Sequence, residues 1–525
     1  MLIQADLSKP IPLKENLVHA VILSPPYYGL RMYDVSPQIW GGSRTCNHTW
    51  TWDTKRGVTG GTKSKKVQIK DQDNFQIVPS TRYGFCDCGA WYGHLGQEPT
   101  PDMFIEHLVW IMDDVRRVMR PDAVLFVNIG DSFAGSGGPG SQYKKDGFQY
   151  FDNANKYLPL PNGNKILIPH RFAIAMQDDG WILKQDMVWA KAVSFNDEWS
   201  GSVMPEPVNG WRWERHKVHI KTNGKKEYVE CPGCEKCKNR DGFVLRKGQW
   251  RPTTSHEYIF MFAKTDRYYA DREAVKEALA CPDAQGMLFG GDKQADGDNV
   301  KYSGNEYDAS RLTGRNPRSV WAIEEEEWQQ FLRWKEEYNQ MKSVTGASTG
   351  NYKGHHFAAF GPHLVEPLIK AATPDGGVCR ECGAPLARVI KNHSNTPGSK
   401  YDREEQGILK PHPPGVDMKE RGMQNLGGNP QYPPPNAGNS TETLDWWHTC
   451  EHTSPSIPAT VLDICMGTGS TAVAAQSLRR NWIGTDLSFR YLRQAQERTG
   501  ITALNEWENG KDGECEVKDL PLFGG

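Results

Sequence analysis

Between Thr460 and Arg498 the chain spells out a complete supersecondary unit. Thr460 to Cys465 is an apolar run of strand length, Gly467-Thr468-Gly469-Ser470 is a tight turn, and Thr471 to Leu478 has the Ala-rich pattern of a helix. Trp482 to Thr485 then reads as a strand ending at Asp486, and Tyr491 to Arg498 as a second helix. This order requires a crossover between parallel strands, so it predicts a doubly wound α/β sheet. The turn can also hold a ligand. Gly467 and Gly469 let the main chain approach closely, and the amides of Thr468, Ser470 and their neighbours lie at a helix N-terminus. Asp463 ends its strand where it can meet a cationic amine. Asp486 ends the next strand, where it can accept hydrogen bonds from ribose hydroxyls. The full G-x-G-x-x-G spacing is absent, which leaves a Rossmann nucleotide site and a plain packing turn as rivals.

The rest of the chain supplies further pieces of the sheet. Met1 to Ile3, just ahead of Asp6, and Val18 to Leu23 read as buried strands. Met103 to Met119 carries apolar residues at helical spacing, and Ala123 to Ile129 follows as a strand. Ile166 to Met176 reads as a helix, Trp181 to Trp189 and Tyr258 to Ala263 as strands, and 322–342 as a charged, solvated helix. Long polar stretches at 33–97, 132–164, 193–250, 280–315 and 393–445 read as loops or inserts, in a chain of 525 residues with 52 Gly and 34 Pro. No run approaches a membrane span, and the N-terminus lacks a secretory pattern. A net charge of −2 argues against a nonspecific coat for nucleic acid, but not against positive charge gathered in one place.

Ser24-Pro25-Pro26-Tyr27, directly after the second strand, discriminates among these rivals. The lone pair of an exocyclic base amine is delocalised into the ring, so the nitrogen is a poor nucleophile. Acceptors aimed at its hydrogens favour the tetrahedral form that can attack. Ser24 Oγ and the Pro25 carbonyl can be those acceptors, the two prolines stiffen the loop, and the Tyr27 ring offers a stacking face. A base paired in a duplex must first leave the stack.

Nine of the 12 cysteines fall in tight clusters or beside histidine. Cys46-x-His48 pairs with Cys86-x-Cys88, and Cys379-x2-Cys382 with Cys450-x-His452. Cys231-x2-Cys234-x2-Cys237 needs a fourth ligand, from His216 or His219. Four N/S ligands suit structural zinc, up to three ions in all, each closing an insert that would otherwise lack a core. Gly89 and Gly383 sit where a knuckle turns with positive φ. Buried free cysteines are the alternative.

In these segments the chain resembles the β-group DNA amino-methyltransferases, phage-type methylases in particular. In that group the catalytic tetrapeptide comes first and the Gly turn last. Matching stretches lie in order between them: Glu98 to Pro101, Val115 to Val118, Asn128 to Ser132, Trp211 to Arg215, Arg251 to Tyr258, Gly314 to Trp321, and His356 to Pro367. The resemblance implies a Rossmann-like seven-stranded sheet with circularly permuted motif order and zinc-stapled inserts. It also implies S-adenosylmethionine as cofactor and duplex DNA with a flipped base as substrate, in the cytoplasm of a bacterium or phage-infected host. A restriction nuclease is a possible partner.

By the same resemblance, Asp6 bonds the cofactor's adenine amine, Phe357 packs on its methionine part, and His256 and Glu257 shape the base pocket. Asp463, Cys465, Gly467, Thr468, Gly469, Ser470 and Asp486 complete the cofactor site. The family often has Asp-Pro-Phe where this chain has Asp463-Ile464-Cys465. Serine first in the tetrapeptide is similar to cytosine-N4 enzymes, with adenine N6 as the alternative. An inactive zinc-bearing nucleic-acid-binding protein and an RNA or protein-amide methyltransferase are the other readings. The expected segments are 1–32 (catalytic-loop part of the core), 33–97 (zinc insert), 98–192 (core), 193–313 (target-recognition insert with zinc), 314–375 (cofactor-packing core), 376–455 (zinc insert), 456–505 (cofactor-binding core) and 506–525 (tail).

Overall fold

The computed structural model describes residues 1–29, 35–43, 45–53, 83–134, 160–161, 163–191, 210–222, 225–248, 250–276, 316–317, 319–322, 360–393 and 440–501. Phe357 and the expected charged helix beyond Ala322 lie outside the described residues. The chain divides into two compact units. The first comprises Met1–Met187, Tyr258–Ser319 and Gly354–Gly525, and the second Val188–Glu257 and Val320–Lys353.

Eight strands make the main sheet: β1 (Leu2–Gln4), β2 (Val18–Leu23), β3 (Met119–Ile129), β4 (Ile182–Ala190), β5 (His256–Ala263), β6 (Val320–Ala322), β7 (Thr460–Asp463) and β8 (Asn481–Asp486). Their order is β1-β8-β7-β2-β3-β5-β4-β6. The family resemblance implies seven. The eighth is the short β6, which joins the end of β4 in parallel (Val320 opposite Val188) within the second unit. The pairs β1–β8, β8–β7, β7–β2 and β2–β3 are all parallel, and β5 runs antiparallel to β3. Every residue of β2 is buried, His19 among five apolar residues, as befits an inner parallel strand.

Five helices are described: α1 (Pro101–Val118), α2 (Ile168–Asp178), α3 (Pro362–Ala372), α4 (Ser470–Ser477) and α5 (Phe489–Thr499). The sequence encodes α1 in several ways at once. Thr100 caps it by accepting from the Met103 amide at 3.2 Å, Pro101 opens it, and Arg116 and Arg117 lie in its last turn. Phe104, Leu108, Ile111, Met112, Val115 and Val118 recur on its buried face. The helix ends at Val118 and β3 begins at once, before the Pro121-Asp122 expected to break it.

The inserts contain more structure than their polar composition predicts. The stretch expected to be a polar zinc insert over 33–97 holds a four-stranded sheet built from Gln38–Trp40, Trp91–Gly93, Tyr83–Phe85 and Thr51–Asp53. Its Trp40 and Trp91 are buried and stack on the His107 ring, at 5.3 and 5.6 Å between centroids. That insert therefore has apolar packing against α1. In the stretch expected to be a long loop over 393–445, Ser440–His448 is a strand paired antiparallel with Leu386–His393. The second unit holds two hairpin pairs, Trp211–Arg215 with Phe243–Lys247 and Lys217–Thr222 with Lys225–Glu230.

His19 on β2 ties one knuckle to the sheet. Its Nδ1 accepts from the Thr460 amide at 3.1 Å, so its Nε2–H faces the Gly383 carbonyl at 3.0 Å. Burial pushes its pKa down to about 4, which keeps the ring neutral for that role. Arg120 Nη1 donates to the Cys382 carbonyl at 2.7 Å beside it.

Leu108 is fully buried in the main cluster. Leu108→Ala is expected to lower the unfolding free energy by about 2–5 kcal/mol in denaturant titrations. A loss below about 0.5 kcal/mol would show that α1 does not pack on the sheet as described.

Candidate active site

The two segments singled out in the sequence meet at one edge of the sheet. Val461 and Leu462 of β7 pair with Ala20 and Val21 of β2, in parallel. The carboxyl ends of the two strands, Asp463 and Leu23, are therefore side by side, and the Ser24 loop and the Gly turn leave the sheet next to each other. Outside the carboxyl ends of parallel strands is where open α/β sheets bind ligands.

The Gly turn is held by two carboxylates. Asp463 is 2% exposed, and accepts from the Cys465 amide at 2.9 Å and from Thr471 Oγ1 at 2.6 Å. Asp486 accepts from the Gly467 amide at 2.9 Å and the Ser488 amide at 2.7 Å. Each acid thus fixes the turn's shape in addition to whatever ligand it faces. Gly467 and Gly469 have φ of 51° and 83°, and a Cβ on Gly469 would lie 2.9 Å from the Ala495 Cβ on α5. Both the left-handed backbone and the close helix approach require glycine there. Arg498 Nη1 donates to the Thr468 carbonyl at 2.8 Å and lies 3.4 Å from Ser470 Oγ, bracing the turn from α5. Asp6 follows β1, whose Gln4 pairs with Asp486, and the Ala5 amide donates to the Asp486 carbonyl at 3.1 Å. Asp6 is thus brought to the same edge, where its Oδ1 accepts from the Ser8 amide at 2.9 Å.

In the tetrapeptide, Ser24, Pro26 and Tyr27 are half-buried and Pro25 is buried. Ser24 Oγ donates to the Tyr27 hydroxyl at 3.3 Å, and Asn128 Nδ2 donates to the same oxygen at 3.0 Å. Donation toward Tyr27 turns the Ser24 hydrogen aside and leaves its oxygen lone pairs for an incoming donor. Gly130, at the end of β3, makes room for the ring: a Cβ there would lie 2.6 Å from Tyr27 Cε2.

Behind the loop stands a buried brace that sequence reasoning missed. Glu98 holds the His107 ring nitrogen at 3.0 Å and accepts from the Gly96 amide at 2.8 Å. Its carbonyl accepts from the Tyr28 hydroxyl at 3.1 Å, and the Gly96 carbonyl from the Gly29 amide at 2.7 Å. Burial pushes the Glu98 carboxyl up, while its bond to His107 pulls it down. Asn128 and Glu98 both lie in stretches that match the family, but only the fold reveals what they touch. Glu257 is ion-paired with Lys191.

The cysteines gather as four-ligand groups: Cys46, His48, Cys86 and Cys88; His216, Cys231, Cys234 and Cys237; Cys379, Cys382, Cys450 and His452. Within each group the ligand atoms lie within 4.8 Å of one another, and of the two histidines offered for the middle group His216 is the one present. The Sγ atoms of Cys46 and Cys86 are 3.7 Å apart and those of Cys234 and Cys237 3.8 Å, far beyond a disulfide bond. His48 and His216 present Nδ1 at 3.3 Å from Cys88 and Cys234. Gly89 and Gly383 have φ of 86° and 70°, as the knuckle pattern predicts.

A Gly turn and a Pro-stiffened loop thus leave the sheet at neighbouring strand ends, the place where open α/β enzymes bind their ligands. The DNA methylase family model, which covers N6 and N4 methyltransferases, matches residues 18–380 and 452–497, and the chain belongs to that family of site-specific DNA amino-methyltransferases. Type II methyltransferase M.SmaI of Serratia marcescens is 27% identical over 324 residues, covering 60% of this chain and 75% of that protein. Type II methyltransferase M.Cfr9I of Citrobacter freundii is 28% identical over 306 residues, covering 57% and 66%. Among solved structures, the cytosine-N4-specific PvuII DNA methyltransferase is matched over 97% of this chain and 88% of that one, at 12% identity and a TM-score of 0.35. So loose a likeness carries no functional argument. No helix among the described residues is long and apolar enough to cross a membrane.

Burial pushes the Asp463 carboxyl from 3.8 up to about 7, against the pull of its two hydrogen bonds, and the nearby Asp486 adds to the rise. Between those values the folded state binds more protons than the unfolded chain. The stability Asp463 contributes is therefore complete below about pH 4 and declines as pH rises through about 7. Urea unfolding of wild type and Asp463→Asn across that range is expected to show wild type losing ground to the variant until about pH 7, then holding level. A difference independent of pH would contradict the raised carboxyl.

Proposed function

We propose that this enzyme transfers the methyl group of S-adenosylmethionine to the exocyclic N4 of cytosine at a specific site in DNA, with the base turned out of the duplex. The observation that carries the reading is the parallel β7–β2 pairing, which sets the Ser24 loop beside the Gly turn. When bound, S-adenosylmethionine would supply a sulfonium methyl to the amine nitrogen, the carbon–sulfur electron pair returning to sulfur and the displaced amine proton passing to water. Ser24 Oγ and the Pro25 carbonyl accept the two amine hydrogens and favour the pyramidal nitrogen. Tyr27, pinned through its hydroxyl by Asn128, offers its ring to the base. The Gly turn lets its main chain pack against the cofactor, with Asp486 and Asp6 at the strand ends available for its ribose and adenine.

The serine that opens the tetrapeptide favours cytosine N4. Similar adenine-N6 enzymes carry Asp or Asn there, and a neutral hydroxyl is a weaker acceptor than a carboxylate. A companion restriction nuclease and a site of action in the cytoplasm belong to the same proposal. Mass spectrometry of DNA digested after exposure to the enzyme is expected to show N4-methylcytosine, and N6-methyladenine alone would move the assignment to adenine. Ser24→Ala is expected to lower kcat by about 10²-fold with cofactor affinity unchanged, since a single oriented polar contact in the transition state contributes on that order. Full activity in Ser24→Ala would remove the mechanism.

The three Cys/His groups are proposed as structural zinc sites. Two thiolates about 2.3 Å from a tetrahedral centre lie about 3.8 Å apart, and the cysteine pairs match that spacing. Metal analysis is expected to find three zinc ions per chain, and two in Cys88→Ser. Zinc-free wild-type protein, purified without chelator, would overturn the sites.

A further inference from the structure

We infer that the ribbon formed by Trp211–Arg215 and Phe243–Lys247 in the second unit is the surface that grips the phosphate backbone of duplex DNA. The inference rests on the reading that duplex DNA is the substrate, and it assigns a role that the Ser24 loop and the Gly turn do not supply.

The two strands pair with Lys247 opposite Trp211, Leu245 opposite Trp213 and Phe243 opposite Arg215. These six side chains alternate with Arg212, Glu214, Val244 and Arg246, so they share one face. On the second face a single acid stands between two bases: Glu214 bonds Arg212 at 2.5 Å and lies 3.5 Å from Arg246, so one of the two positive charges is offset. The first face has a different construction. Lys247 Nζ sits 4.8 Å over the Trp211 ring, and the Arg215 guanidinium 4.5 Å over Phe243. Arg240, from the short turn Lys238–Arg240, lies 5.0 Å over Trp213. The acid near this row is Asp241, whose exposed carboxylate is 4.0 Å from Arg215, a pair worth little in water.

Yet the face is open. Trp211 is 68% exposed and Trp213 48%. Large rings left in water with a cation on each are costly as plain surface and well made as a polyanion platform. The stacked ring holds each cation in place, so less side-chain freedom is lost on binding. Charge singles out the occupant. Residues 210–250 carry eleven Lys and Arg against five Asp and Glu, a net +6 within a chain whose total is −2. Concentrated positive charge in an otherwise slightly acidic protein matches a row of phosphates. The ribbon is also rigid at its base. His216 directly follows Arg215 and accepts through its carbonyl from the Cys231 amide at 2.7 Å, while its own amide donates to the Gly242 carbonyl at 2.7 Å.

The test uses the full-length enzyme and a fluorescent duplex, with anisotropy measured across salt concentrations. Wild type is compared with Arg240→Ala/Lys247→Ala, Trp213→Ala and Lys247→Arg. The double variant is expected to weaken duplex binding and to flatten the slope of log Kd against log salt by about 2, one for each phosphate that is no longer neutralised. KM for DNA rises with it, while kcat at saturating DNA, cofactor affinity and zinc content stay at wild-type values. Trp213→Ala weakens binding, and Lys247→Arg keeps it. Unchanged Kd and salt slope in the double variant, with wild type methylating DNA, would overturn the ribbon assignment. So would a change confined to oligomeric state, which would make the face a protein contact. Wild type that binds duplex through the ribbon but transfers no methyl group would instead overturn the proposed function and leave the ribbon standing.

Discussion

The active edge depends on one backbone pairing. Val461 and Leu462 lie in register with Ala20 and Val21, and the Thr460 amide donates to His19 across 441 positions of chain. Everything the site needs follows from that pairing. It sets the Gly turn beside the Ser24 loop, and β8 then carries Asp486 to the same edge and pairs with β1, which delivers Asp6. A shift of one residue would exchange the two faces of β2 and break the bond from the Thr460 amide to His19. Since β2 is buried along its whole length, burial alone does not choose the register, and His19, bonded to the Thr460 amide and the Gly383 carbonyl, marks it.

Much of this core was legible because its elements state their identity locally. The strand Val18–Leu23 has the boundaries its apolar run predicts, and α1 and α5 follow their periodicity to within two residues. The Gly turn, the Pro-Pro loop and the metal-ligand spacing also carry their meaning in short stretches. Four-ligand groups appear where the cysteine pattern places them, with His216 taking the place left open. What could not be read is long-range contact among ordinary residues. Nothing in the spacing of Trp40, Trp91 and His107 announces that two indoles stack on an imidazole whose nitrogen meets Glu98. Nor does a polar run such as Ser440–His448 show alternation strong enough to mark it as a strand, since its hairpin is stabilised by pairing with Leu386–His393.

The inserts divide by how they obtain rigidity. The first combines a ligand cluster with true apolar packing against α1. The middle one keeps most of its large rings in solvent and gathers His216, Cys231, Cys234 and Cys237 in one place. The third is clipped to the sheet through His19 and Arg120, which bond the Gly383 and Cys382 carbonyls.

The β7–β2 pairing also governs how the molecule must be made. At about 5–20 residues per second, a ribosome takes on the order of half a minute to a minute and a half to travel from Ala20 to Val461. Through that interval β2 can pair with β3 on one side but has no strand for the other, and the inner position of a parallel sheet stands as an uncovered edge. An enzyme that acts on DNA as soon as it is whole is, while nascent, a sticky half-sheet whose safety rests on the speed of translation and the company it keeps.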